Sequence, residues 1–306
     1  PLAVSRPAKA DRSVHDAVAA GFVQVVGYAF IAPNEQRLFT AGDDNDIVLA
    51  NPISEDMAVM RRSLWPGLLK IARHNLNRQQ PGVALVEQGR TYCKSADGHS
   101  EDHVIAWLLS GEMQADAWHG AARDADFFDL KGAVEDWLQA QGLKGRFLAE
   151  AIPGLQAGQS AKILVGRSEV GLIGRVDAGI AAGFDIVRPV FVAAIDLDAL
   201  PAGKRQKFVP LPEFPGVERD LVFLFDGDAV ADDIIQTVTK VGGKLLTEAR
   251  IFDRYAGKGV PEGKVSLGIR FTLQDGKRTL TQEDSDAASR AIVQAMDSRF
   301  GAVLRA

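Results

Sequence analysis

The chain has 306 residues, 46% hydrophobic and 25% charged, a size and balance that allow two ordinary domains each burying its own core. Its formal net charge of −5 argues against a protein that coats nucleic acid without specificity. No apolar run approaches the roughly 20 residues of a membrane-crossing helix, so no membrane span is expected. The single cysteine, Cys93, cannot close an internal disulfide and fits a reducing, cytoplasmic compartment. The chain opens on Pro1 without a basic-then-apolar leader and reads as a fragment or processed chain rather than a secreted precursor.

In chain order, residues 23–30 (VQVVGYAF) read as a strand and residues 47–50 as a short one. Residues 66–78 (PGLLKIARHNLNR) read as a helix, with Pro66 in its first turn and Leu69, Ala72 and Leu76 at helical spacing. Further strands are predicted at 83–87, 103–110, 161–165, 169–176 and 189–197, and a helix at 128–143 with Val134, Trp137 and Leu138 on one side. Many strands with few crossover helices favour a large antiparallel sheet. Residues 204–216 (KRQKFVPLPEFPG) carry Pro210, Pro212 and Pro215 and read as a linker, dividing the chain into domains 1–207 and 208–306.

Beyond the linker a strand is expected at 218–226 and a helix at 231–241 stopped by Gly242 and Gly243. Two strands, 246–255 and 264–274, form a hairpin. A helix at 281–300 follows, capped by Thr281 with Asp284 at the reciprocal position and carrying a stripe of Ala288, Ile292, Met296 and Phe300. Gly301 ends it before a last strand at 302–306. The order βαββαβ is that of a ferredoxin-like fold. Parity along the third strand sends Val265, Leu267, Ile269, Phe271 and Leu273 toward the helices and leaves Arg270 on the open face. On the second strand the same rule leaves Arg250, Phe252 and Arg254 open. Between Arg250 and Arg278 seven Lys or Arg stand against three acids, a basic island in an acidic chain.

Motifs for chemistry are missing. Residues 166–174 (GRSEVGLIG) lack the endings of a phosphate-binding or dinucleotide turn and read as glycine-relieved strands and a turn. His99 and His103 in HSEDH do not match a metalloprotease helix and read as a solvated loop. The acidic turn Asp43, Asp44, Asn45, Asp46 lacks the closing glutamate of a calcium loop. No serine sits in a nucleophile elbow. No catalytic residue and no metal site is expected.

Three stretches together resemble bacterial phenylalanyl-tRNA synthetase beta chains: residues 51–78, residues 118–138, and residues 214–226 followed by 251–296 (IFDRYAGKGVPEGKVSLGIRFTLQDGKRTLTQEDSDAASRAIVQAM). The last looks like that family's ferredoxin-fold anticodon-binding domain. The resemblance implies an α+β chain whose first domain is a class II aminoacyl-tRNA synthetase-like antiparallel sheet with flanking helices, stripped of catalytic residues. Consistent with that loss, the strand LVEQGRTY (residues 85–92) stands where ATP is gripped, and no late G-x-G-x-x-x-R follows.

The same resemblance implies partners: a catalytic alpha subunit in an alpha2 beta2 assembly, and the tRNA for phenylalanine, with no DNA. ATP and Mg2+ would serve the complete enzyme, with no cofactor on this chain. Implied tRNA contacts are Arg219, Arg250, Phe252, Arg254, Tyr255, Lys258 and Arg270. Glu218 replaces a basic residue that usually precedes Arg219. Implied subunit-interface residues are Leu64, Trp65, Leu68 and Leu69. A free-standing RNA-binding or small-molecule-sensing protein built on the ferredoxin-like domain is the competing expectation.

Overall fold

A computed structural model describes residues 9–40, 42, 45–96, 98–118, 120–203 and 211–305. The chain divides into two compact units, Pro1–Gln206 and Lys207–Ala306. Pro210 of the proline-rich segment, and Asp43 and Asp44 of the acidic turn, lie outside the described residues, and residues 211–216 carry no helix or strand.

The first unit runs α1 (Lys9–Ala19), β1 (Val23–Gln24), β2 (Phe30–Ile31), α2 (Pro33–Arg37), β3 (Val59–Met60), α3 (Trp65–Leu76), β4 (Gly82–Ser95), β5 (Gly98–Gln114), β6 (Arg123–Asp124), α4 (Phe127–Ala140), β7 (Gly145–Ala149), β8 (Leu155–Val165), β9 (Ser168–Val176), α5 (Ala178–Gly183) and β10 (Val190–Asp196). Its main sheet has the order β1-β4-β5-β10-β9-β8-β7, antiparallel except where β1 lies parallel to β4. Helices cover both faces. Along β10, Phe191, Ala193 and Ile195 join the core beneath α1 and α4, while Val190 and Val192 join the core beneath α3 and α5. That double burial explains why β10 (VFVAAID) is apolar almost throughout.

Several expected elements take another form. Residues 23–30 are not one strand. The N–H of Gly27 donates to Glu87 Oε1 at 3.1 Å and the carbonyl of Tyr28 accepts from Arg61 at 3.2 Å, so side chains satisfy this backbone in place of a ladder. Residues 47–50 are reduced to one bridge, Val48 with Val59. The HSEDH segment is not a loop: it lies within β5, paired with β4 from Gly82↔Gly111 to Ser95↔Gly98. Here His103 Nε2 sits 3.0 Å from Gln88 Nε2.

The second unit runs β11 (Val217–Asp226), α6 (Ala231–Gly242), β12 (Leu246–Tyr255), β13 (Lys264–Leu273), α7 (Gln282–Phe300) and β14 (Val303–Leu304). The strands pair antiparallel in the order β12-β13-β11-β14, a ferredoxin-like sheet. Ile234 and Val238 of α6 and Ile292 and Met296 of α7 share one core with Phe223, Phe225, Ile269 and Phe271, so both helices cover the same face. Thr281 and Asp284 close a reciprocal capping box at the start of α7, and Gly301 ends it in the left-handed region at φ 59°.

Candidate nucleic-acid interface

The face of the second sheet turned away from α6 and α7 is defined by register. Arg250 on β12 stands opposite Arg270 on β13, which stands opposite Asp220 on β11. Residues directly opposite one another in a ladder project to the same side. Glu248, Arg250, Asp253 and Tyr255 from β12, Arg270 from β13, and Glu218 and Asp220 from β11 therefore share the open face.

A bulge interrupts β12 between Ile251 and Asp253, which pair with consecutive residues Ile269 and Gly268. Phe252 is the extra residue. Its ring lies over Gly268, where a Cβ would stand 2.8 Å from Phe252 Cζ, and the Arg270 guanidinium sits 5.0 Å from the ring centroid. Glycine at 268 is what lets the ring lie on the sheet. The bulge also shifts everything after it by one step. Arg254 stands opposite Leu267, a core residue, and so projects to the helix side. The expected open-face position of Arg254 is corrected: simple alternation fails across the bulge. Arg219, opposite Phe271, also belongs to the helix side. It donates to Ser285 Oγ at 2.7 Å and Gln282 Oε1 at 3.2 Å, apart from the open-face arginines.

The basic island is largely matched by acids drawn from elsewhere. Arg270 grips both carboxylate oxygens of Asp220, at 2.8 and 2.6 Å, with Glu218 3.3 Å away. The Arg270 hydrogen bonds hold the Asp220 carboxyl below the usual carboxylate range, and Asp220 in turn raises Arg270. Arg278 forks onto Asp284 at 2.6 and 3.0 Å, which helps hold the cap of α7. Lys264 meets Asp226 at 2.8 Å, and Arg250 has Glu248 at 3.8 Å. Arg254, Lys258 and Lys277 form no ion pair with an acid among the described residues. Tyr255 and Lys258 are joined locally, the tyrosine hydroxyl donating to the Lys258 carbonyl at 3.2 Å. Arg305 was not among the expected residues, yet its guanidinium reaches Ser266 Oγ at 3.5 Å, beside Tyr255.

The expected subunit-interface residues of the first unit are core. Leu64, Trp65, Leu68 and Leu69 are 0–3% exposed, and the Trp65 indole donates to the Ala193 carbonyl at 3.2 Å. Their apolar side chains are spent on the sheet beneath α3, which leaves no surface for a partner. That correction removes the four from the interface.

On the strand LVEQGRTY, Glu87 faces the same side as Leu85, beneath α3, but is 1% exposed and bonded to Arg61 Nη1 at 2.6 Å. Arg61 also donates to the Arg90 carbonyl at 3.0 Å, and its guanidinium occupies the ground a side chain at Gly89 would need. A hollow of about 310 Å3 lies farther along this face, with Arg62, Thr91, Glu169 and Asp196 among its lining. Arg62 is already 3.4 Å from Asp46. In the HSEDH segment, partial desolvation and then Asp196 and Asp198 push the Asp102 carboxyl up. Among the described residues no group of three or more His, Cys, Asp or Glu is placed to hold a metal ion.

The chain thus joins an antiparallel-sheet unit to a ferredoxin-like unit whose two helices lie on one face of its four-stranded sheet. The family model for the phenylalanyl tRNA synthetase beta chain CLM domain matches residues 4–197, and that for the ferredoxin-fold anticodon binding domain matches residues 212–305. The chain belongs to the phenylalanyl tRNA synthetase beta chain family. Relatives named phenylalanine–tRNA ligase beta subunit include one from Pseudomonas syringae pv. tomato, 38% identical over 94% of this chain and 36% of its own length. One from Vibrio vulnificus is 37% identical over 100% of this chain and 38% of its own length. The chain thus spans little more than a third of the length of these relatives. The solved pyrrolysyl tRNA synthetase of Desulfitobacterium hafniense aligns with a TM-score of 0.47 at 16% identity, covering 62% of this chain and 66% of that one. No helix among the described residues is long and apolar enough to cross a membrane.

Proposed function

We propose that this chain is the noncatalytic part of a phenylalanine–tRNA ligase beta subunit. It supports attachment of phenylalanine to its tRNA by pairing with a separate catalytic alpha subunit, in an alpha2 beta2 assembly, and by contacting the anticodon region of the tRNA through its second unit. The observation that carries this reading is the match to a relative so named across 100% of the chain, with both family models in order. The competing expectation of a free-standing RNA-binding or small-molecule-sensing protein draws no support from these matches.

ATP and Mg2+ belong, in this reading, to the alpha subunit. Support comes from the strand that would grip ATP: Glu87 is buried against Arg61, and Arg90 is paired with Glu101 at 3.0 Å. The nearby hollow is lined by Glu169 and Asp196 as well as Arg62, and Arg62 is already 3.4 Å from Asp46. For the second unit, Phe252 offers a 43% exposed ring backed by Arg270, suited to stacking a single-stranded base. Arg250 beside it is exposed. The enzyme would act in the cytoplasm.

The experiment is phenylalanine-dependent exchange of pyrophosphate into ATP. The chain alone should show none, and mixing it with the alpha subunit of a relative should yield a complex that co-purifies. Exchange by the chain alone would overturn the reading, as would failure of any alpha subunit to bind it.

A further inference from the structure

We infer that Arg305, together with Lys258, forms a phosphodiester-binding site at the hairpin end of the open face, and that this end carries the electrostatic part of RNA binding. The inference rests on the proposal that the second unit faces tRNA and names where on it the backbone is held.

The centre of the face is poorly suited to phosphate. Arg270 already has both its forked donors on Asp220, with Glu218 beside them, and a phosphate approaching it meets two carboxylates. The hairpin end differs. The backbone N–H of Arg305 donates to the Val222 carbonyl at 2.7 Å, which adds a rung to β14 and fixes the direction of the side chain. Leu304 pairs with Phe223 of the core, so Arg305, one residue on, projects to the open face.

There the guanidinium makes one long contact, 3.5 Å to Ser266 Oγ, and no ion pair with an acid among the described residues. Most of its five donors stay available for a planar, two-point grip on phosphate oxygens. The hairpin loop comes to meet it: a Cβ on Gly259 would stand 3.7 Å from Arg305 Nη2. Tyr255 lies opposite Ser266 in register and positions the loop. Its hydroxyl holds the Lys258 carbonyl, and its ring leaves so little room over Gly257 that a Cβ there would lie 2.8 Å from the hydroxyl oxygen. Lys258, exposed and without an acid partner, brings a second positive charge to the same loop.

The test is a salt-dependent anisotropy titration of a phenylalanine tRNA transcript with the 306-residue chain. Each lost phosphate contact lowers the slope of log affinity against log salt by about 0.7 to 0.9. Arg305→Gln with Lys258→Gln should lower the slope by about 1.5 and weaken binding roughly tenfold near physiological salt. Arg250→Gln should change the slope far less, and Arg305→Lys should keep most of it. If the double variant keeps the wild-type slope while Arg250→Gln flattens it, the inference fails although tRNA contact stands. If Arg305→Lys loses as much as Arg305→Gln, the residue acts by shaping the strand, and the inference also fails. If the unaltered chain shows no salt-dependent tRNA binding, both fall.

Discussion

Arg270 and Asp220 form a two-point ion pair on the uncovered face of the second sheet, and Phe252 packs on the same guanidinium. One arginine therefore serves as a platform for an aromatic ring while its charge is matched by a carboxylate. The face is built for stacking more than for attracting phosphate.

Releasing that arginine should make it an RNA contact. Asp220→Asn is expected to tighten tRNA binding a few-fold and to steepen the salt slope by about 0.7 to 0.9. The pair is partly exposed, so its loss should cost at most about 1 kcal/mol of stability. Anisotropy across a salt series checks the first point and urea unfolding the second. An unchanged slope would place the RNA away from Arg270.

Phe252 and Gly268 should act as one unit. Phe252→Ala is expected to weaken tRNA binding by about 1 to 3 kcal/mol, the range for one stacked base. Gly268→Ala should lose a similar amount because its Cβ would meet the ring at 2.8 Å and lift it from the sheet. In the Phe252→Ala background, Gly268→Ala should then cost much less, with only the Asp253 Cβ left 3.2 Å from the added methyl. Additive losses would show that the glycine matters for another reason.

In the first unit the buried Arg61–Glu87 pair ties residues 27 and 28 to the sheet. Arg61→Met strands the Glu87 carboxylate at 1% exposure and should destabilise the chain by about 3 to 5 kcal/mol. Adding Glu87→Leu should recover part of the loss. Urea midpoints of the single and double variants measure both, and a double variant no better than the single would contradict the argument.

The cap of α7 predicts a pH signature. The Arg278 fork, followed by the backbone N–H of Thr281, holds the Asp284 carboxyl below its ordinary value. Such a group contributes its full stabilisation above the unfolded pKa near about 3.9, and the contribution is lost as pH falls through the lower folded value. The difference in urea midpoint between the unaltered chain and Asp284→Asn should be full above about pH 5 and shrink below about pH 4. A difference independent of pH would remove the ion pair as its cause.

The second unit was legible in sequence because each local signal agreed with the next. Strict alternation from Val265 to Leu273, the glycine pair that closes α6 and the Thr281–Asp284 box each mark a boundary that the fold uses. The first unit was less so. Residues 23–30 carry strand-like composition, but the backbone partners of Gly27 and Tyr28 in their middle are the side chains of Glu87 and Arg61, more than thirty residues away, which no local pattern displays. Helix α1 (KADRSVHDAVA) has little apolar surface, with Val14 and Ala17 as its described core contacts, and the six-residue α5 shows no periodicity.

Site residues divided in the same way. Parity placed Arg250 and Arg270 on the open face, but the bulge at Phe252 moved Arg254 off it, and a bulge leaves no residue type as its mark. Acidic partners from β11 were invisible because pairing across strands depends on register, not on neighbours in sequence. Arg305 could have been found: the same alternation applied to the last expected strand sets it on the open face. Trp65 beside Pro66 and Gly67 reads equally as contact surface or core, and only packing against Phe39 and Ala193 decides for core.

Amide hydrogen exchange of the chain with and without phenylalanine tRNA tests the account most directly. Bound RNA should slow exchange in β12, β13 and the hairpin between them while leaving α6 and α7 unaltered. Protection confined to α6, α7 or the first unit would contradict it.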